Sequence, residues 1–344
     1  MVKEDLEVLK QYYEKKEYNK IIESFTEFSG YGKSIWFLLC TLFECGESAL
    51  FLELYNLVVK EKILFEDSSR IITYNALIEY SFGKYELAFS LLNKTANRCG
   101  EYSYKAKEWL NLLDYRKYNN QVIDNMFFIH FSDDIEYKTK SKFIQNYYCA
   151  LTNLKRFFDI GKIGEINVYV YNSRKDSIGN NLSYSNIMLK AAFVFINDEC
   201  GHEITHIVTE NLYKISLLFL SEGIAECFDQ KKKDYQLDNI LNNKLSIEDM
   251  CENIDDYNIS DVHLVAGVFV ANALQQLKKN PKMIQMFLEA SSYSEIKEVL
   301  RGKINLVEEK TEDVIKKMIK RRAVKYGNGE KVYDSQYRIN IMQK

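Results

Sequence analysis

Four histidines occur in the 344 residues, and two of them stand four positions apart in the run His202, Glu203, Ile204, Thr205, His206. Four residues are slightly more than one turn of a helix, so both imidazoles leave the same face and can hold one divalent ion between them. Glu203 stands beside that face, placed to take a proton from a water at the ion and to hand it on to a departing amine. With so few histidines in the chain, chance supplies on the order of a few such matches per thousand comparable sequences.

A catalytic zinc takes three protein ligands in a tetrahedral shell and leaves its fourth position to water. Glu222, in LSEGIAECFDQ, is the candidate third ligand. Fifteen residues separate it from His206, enough for one helix to end, a loop to turn and a second helix to return antiparallel. Gly223 beside it is expected to let those two helices approach closely. Glu226 follows Glu222 at i+4 on the same helix face, where its carboxylate can accept the outer ring N–H of a ligand histidine, with His202 the expected partner; a solvated helix glutamate is the alternative. Cys200, at i−2 from His202, faces away from the imidazole side and reads as a packed thiol. His130, after the strand-like MFFI, reads as structural.

His-Glu-Ile-Thr-His followed by Ser-Glu-Gly-Ile-Ala-Glu resembles the gluzincin metallopeptidases, the thermolysin-like branch of the zincins. The resemblance runs over roughly residues 123 to 300, through INVYVY and AAFVFIN to the later helix HLVAGVFVANAL. It implies Zn2+ on His202, His206 and Glu222, Glu203 as general base, and hydrolysis of peptide bonds. It also implies a sheet edge near the metal that binds extended substrate by backbone pairing, with limited side-chain selectivity; AAFVFIN is the candidate for that edge. Related peptidases place a Tyr or His on a later helix to hydrogen-bond the oxyanion, which makes His263 a candidate catalytic residue. A buried histidine satisfied by a backbone carbonyl is the other reading of His263. Gly267, one turn on, would let the helix of His263 pack closely against its neighbour. A metzincin site is excluded, since no histidine follows His206 before His263. No acidic cluster suited to a substrate amino terminus is assigned, which favours an endopeptidase over an aminopeptidase.

Helices must dominate the elements that carry these residues. One proline and 14 glycines leave few breakers in the chain. The expected fold is α+β and mostly helical, with three parts. Residues 1–118 form an array of α-hairpins, in which YEKKEYNKIIESF, FECGESALFLEL and YSFGKYELAFSLL return at a loose period of about 34. The third phrase, with Gly83, Tyr85 and Ala88 at the helix turn, resembles a tetratricopeptide repeat; a generic stack of helical hairpins stays open beside it. Either gives a curved surface able to hold a peptide or protein partner. Residues 119–325 form the zincin-like domain, with a small β-sheet from runs near 123–131, 165–171 and 191–197, and a helix over 141–158 on the stripe Phe143, Tyr147, Leu151, Leu154 and Phe158. Residues 173–186 read as an exposed polar connection. From Asp198 the chain is again helical, and the acidic-then-basic order from Glu308 to Arg322 suits a helix dipole. Residues 326–344 form a C-terminal tail.

Composition narrows the partners. A formal net charge of −3 with 28% charged residues provides no strong field toward nucleic acid or an anionic membrane. The longest apolar runs fall short of the roughly 18 residues that cross a bilayer. MVKEDLEVLKQYYEKKEY scatters charge where a signal peptide needs an apolar core, and seven scattered cysteines without close pairs suit reduced thiols. Both point to the cytoplasm. Two functions compete: a zinc peptidase acting on a peptide or protein that the helical domain recruits, and an interaction scaffold whose zinc site is vestigial. The intact Glu203 favours the enzyme.

Overall fold

The computed structural model describes residues 39–40, 42–43, 48–60, 68–98, 100–123, 125–173, 183–197, 201–229, 246–277 and 280–326. The first of the three repeated phrases, Cys200 and the tail after Tyr326 lie outside them. The protein is mostly helical with one small mixed sheet, an α+β architecture, and divides into two compact units between Lys117 and Tyr118. Among the described residues no helix is long and apolar enough to cross a membrane.

In the first unit, α1 (Ser48–Lys60), α2 (Ser68–Ser81), α3 (Tyr85–Ala96) and α4 (Glu101–Leu113) follow one another, each helix packing on the next from α1 to α4. The α2–α3 hairpin turns at Gly83, whose φ of 77° lies in the left-handed region that glycine enters without a Cβ penalty. Backbone N–H groups of Phe82, Gly83 and Lys84 close that turn on Ile78, Tyr80 and Glu79. Tyr80, Ala88, Phe89 and Leu92 are buried at the seam.

The second unit holds a five-stranded sheet in the order β1-β2-β3-β5-β4. Its strands are β1 (Asn119–Ile123), β2 (Phe127–Phe131), β3 (Ile166–Tyr171), β4 (Tyr184–Asn186) and β5 (Ala191–Phe195). β2, β3 and β5 run parallel, while β1 and β4 pair antiparallel at the two edges. The run near 123–131 is thus a hairpin and not one strand; Asn125, at φ 55°, sits in its turn. α5 (Tyr137–Phe157) makes the crossover from β2 to β3, burying Phe143, Tyr147, Ala150, Leu151 and Leu154 against the sheet face of Ile129, Phe131, Val168 and Val194.

Two sequence expectations are corrected here. AAFVFIN is an interior strand, since β5 pairs with β3 on one side and β4 on the other. All five residues of β5 are buried, as in a strand covered on both faces. Residues 173–186, read as a bare connection, contain the real edge strand β4, which lies beside the next helix.

That helix is α6 (His202–Leu212), followed by α7 (Leu218–Phe228), α8 (Ile247–Glu252), α9 (Ile259–Leu277), α10 (Pro281–Leu288), α11 (Tyr293–Leu300) and α12 (Ile304–Tyr326). α9 is buried on almost every face, with Val262, Leu264, Val265, Ala266, Phe269 and Val270 in one core with α5, α6 and α7. Gly223 does allow a close approach, but of α7 to α9 rather than of α7 to α6. A Cβ there would fall 2.7 Å from Val270 Cγ2 and 2.8 Å from the Ala266 carbonyl oxygen.

Candidate metal centre

α6 is capped by Gly201, whose φ of 128° excludes most side chains and whose missing Cβ leaves room for Ala150 and the Phe228 carbonyl. The Thr205 hydroxyl donates to the Gly201 carbonyl at 2.7 Å and tightens the first turn. The whole first two turns, His202 through Thr209, are buried. Helical spacing then brings His202 Nε2 to 3.2 Å from His206 Nε2.

α7 supplies the third group. Glu222 Oε2 lies 3.2 Å from His202 Nε2, and Oε1 lies 3.7 Å from His206 Nε2. Ligand atoms around a tetrahedral zinc with bonds of about 2.0–2.1 Å are about 3.3 Å apart. The three separations bracket that spacing, and these residues form a buried to half-buried group that could hold a metal ion. Two imidazoles and a carboxylate are a donor set that zinc accepts, three groups for the four positions of a tetrahedron.

The electrostatics ask for a cation. Burial alone would depress the His206 imidazolium, but hydrogen bonds to Glu210 and Glu222 and the field of Glu222 and Glu203 raise its pKa to about 10. Burial disfavours the Glu222 carboxylate, yet His202, His206 and His263 hold it ionised far below the usual range. A divalent ion at the convergence point meets the same demand for positive charge.

Each remaining candidate has a definite place. Glu203 is buried on α6 next to His202. Glu226 is buried one turn beyond Glu222, its Oε2 3.7 Å from His202 Nδ1. His263, on α9, sets its Nε2 3.0 Å from Glu222 Oε2, and its ring stacks at 5.5 Å on that of His202. It stands outside the group of mutually close ligand atoms, so it borders the centre and does not close it. Gly267 contributes the carbonyl that accepts from Cys227 Sγ, at 3.0 Å, where α7 meets α9. His130 belongs to the sheet, 2.7 Å from Asn120 Oδ1 and 2.8 Å from Asn167 Oδ1.

Sequence reasoning missed three neighbours. Glu210 and Ser221 both approach His206 Nδ1, at 3.2 and 3.0 Å. Asp229 clusters with Glu226 and the His202 ring. The signal for Glu210 was present, since it follows His206 at i+4 and so shares its face. Ser221 is adjacent to Glu222, and its role needs the α6–α7 geometry to be visible. No protein-family model matches the chain, and neither does any curated protein.

Proposed function

We propose that this protein is a zinc-dependent peptidase of the gluzincin type, with His202, His206 and Glu222 as ligands. The observation that carries the reading is the meeting of His202 Nε2, His206 Nε2 and the Glu222 carboxylate at separations of 3.2–3.7 Å, with Glu203 buried beside them. A zinc ion bound there supplies Lewis acidity, polarising a carbonyl and lowering the pKa of a water toward about 7. Glu203 removes the proton during attack and delivers it to the amine, which must leave protonated because an amide anion is too basic to depart. His263, whose Nε2 lies 3.0 Å from Glu222 Oε2, would turn that N–H from the carboxylate to the oxyanion.

The edge for extended substrate passes from β5 to β4, which leaves one side unpaired among the described residues and lies beside α6. Backbone pairing along β4 would hold a peptide with little demand on its side chains, in keeping with an endopeptidase. The helical hairpins of the first unit are read as a tetratricopeptide-like array that recruits the substrate protein, supported by the Gly83 turn between α2 and α3. A cytoplasmic setting fits the seven scattered cysteines, which have no close pairs in the sequence.

The test uses purified protein and its Glu203→Gln variant on a peptide library from cells, with bound zinc measured in both. Equal zinc and cleavage by the wild type alone support the enzyme. Equal zinc with no cleavage by either supports the scaffold reading, and absence of zinc from both removes the proposal.

A further inference from the structure

His206 is held from behind by two groups that the proposed mechanism does not use. Its Nδ1 lies 3.0 Å from Ser221 Oγ and 3.2 Å from Glu210 Oε1, and the Ser221 hydroxyl donates to the same Glu210 oxygen at 2.7 Å. The hydroxyl has one proton, and Glu210 receives it. Ser221 can therefore only accept from His206, and an ionised Glu210 can only accept, so the Nδ1 position carries the ring proton. When the ring gives up its second proton to bind a metal, the proton lost is therefore the one on Nε2, the atom that faces His202 Nε2 and Glu222. A serine nucleophile is ruled out by the same geometry, because hydroxyl and carboxylate crowd one ring nitrogen instead of taking opposite ones.

We infer that Glu210, acting with Ser221 on the Nδ1–H of His206, is a positioning residue for the metal centre, fixing the tautomer and ring orientation of His206 and raising its strength as a donor. The inference rests on the zinc-site reading above. Glu210 comes from α6 and Ser221 from α7, so the relay also ties the helix bearing the two histidines to the helix bearing Glu222. A carboxylate behind a ligand imidazole increases its basicity and restricts its rotation, and removing such a partner typically weakens metal binding about 10–100-fold. Ser221 is buried and the Glu210 side chain is one-third exposed, so the relay sits inside the fold with only its carboxylate reaching toward solvent.

The experiment measures zinc affinity of the full chain by competition with a chromophoric chelator at fixed pH, for wild type, E210Q, S221A and the double variant. Circular dichroism and the melting temperature of the metal-free proteins monitor folding. Each single variant is expected to bind zinc about 10–100-fold more weakly, while its metal-free form keeps the wild-type circular dichroism and a cooperative melt, lowered only by the lost hydrogen bonds. The double variant should lose little beyond the weaker single one, because both act on the same nitrogen. Cobalt substitution should show an altered visible spectrum in the same variants. Wild-type affinity in E210Q and S221A would overturn the relay and leave the peptidase reading intact. A wild type without zinc affinity would sink both. Should E210Q fail to fold, S221A decides alone, and unchanged affinity there overturns the proposal.

Discussion

Gly223 and Ala266 touch backbone to backbone, since a Cβ built at 223 would fall 2.8 Å from the Ala266 carbonyl oxygen and 2.7 Å from Val270 Cγ2. The residue before Gly223 is Glu222 and the residue three before Ala266 is His263, so this contact sets the distance between two groups of the centre. Gly223→Ala must push α7 away from α9. Overpacking of this kind costs about 1–3 kcal/mol, and we expect a fall of that size in urea unfolding together with weaker zinc binding. An unchanged midpoint would show that the helices can part freely.

If His202, His206 and Glu222 hold zinc as proposed, stability depends on the metal. An ion that binds only the folded chain adds about 2.7 kcal/mol at a concentration 100 times its dissociation constant. Thermal melts of chelator-treated protein with increasing zinc should rise accordingly, and Glu222→Ala should abolish the rise. A Glu222→Ala protein that is still stabilised by zinc to the wild-type extent would place the metal elsewhere.

The pH dependence of folding should carry a mark from His130, far from the metal ligands in sequence. Burial between Tyr118, Tyr169 and the two asparagines lowers its pKa from 6.5 to about 4, a hydrogen bond with Asn167 offsetting part of the effect. The unfolded chain takes up a proton near pH 6.5 that the folded chain refuses until about pH 4. Stability from this group is therefore complete above pH 6.5 and drains away as the pH falls to about 4, for a total of about 3 kcal/mol. Urea unfolding of wild type and His130→Gln between pH 7 and pH 4 checks the sign: the variant should be less stable at pH 7, and the gap should narrow on acidification.

The parts of this molecule that the sequence discloses are those with a local period. His202 and His206 are legible because a helical turn returns them to one face, and the α5 stripe is legible for the same reason. Pairing between segments is not local, so the sequence pattern neither separates β1 from β2 nor tests the edge position that the gluzincin resemblance implies for β5. Asn119, Asn120 and Gln121 of β1 are polar and exposed, so nothing in their pattern announces a strand until β2 is laid against it. β5 offers no alternation because both its faces are covered. Glu210 fell on a readable helical interval, but its meaning depends on Ser221, fifteen residues from His206 and delivered by a different helix.

His263 gives the sharpest test of how the centre divides its work. Its Nε2 is 3.0 Å from Glu222 Oε2, and the same nitrogen is the donor assigned to the oxyanion. A group that serves the transition state lowers kcat when removed and leaves ground-state binding alone, whereas a group that only steadies Glu222 lowers metal affinity. We expect His263→Phe to reduce kcat about 100–1,000-fold on a cleaved peptide, with KM and zinc affinity within about twofold of wild type. The reverse pattern, a zinc affinity reduced about 10–100-fold and a kcat restored by excess zinc, would reassign His263 from the oxyanion to the support of Glu222. Because the ring is only one-quarter exposed and stacks on His202, the phenylalanine keeps the packing, and the comparison isolates the nitrogen.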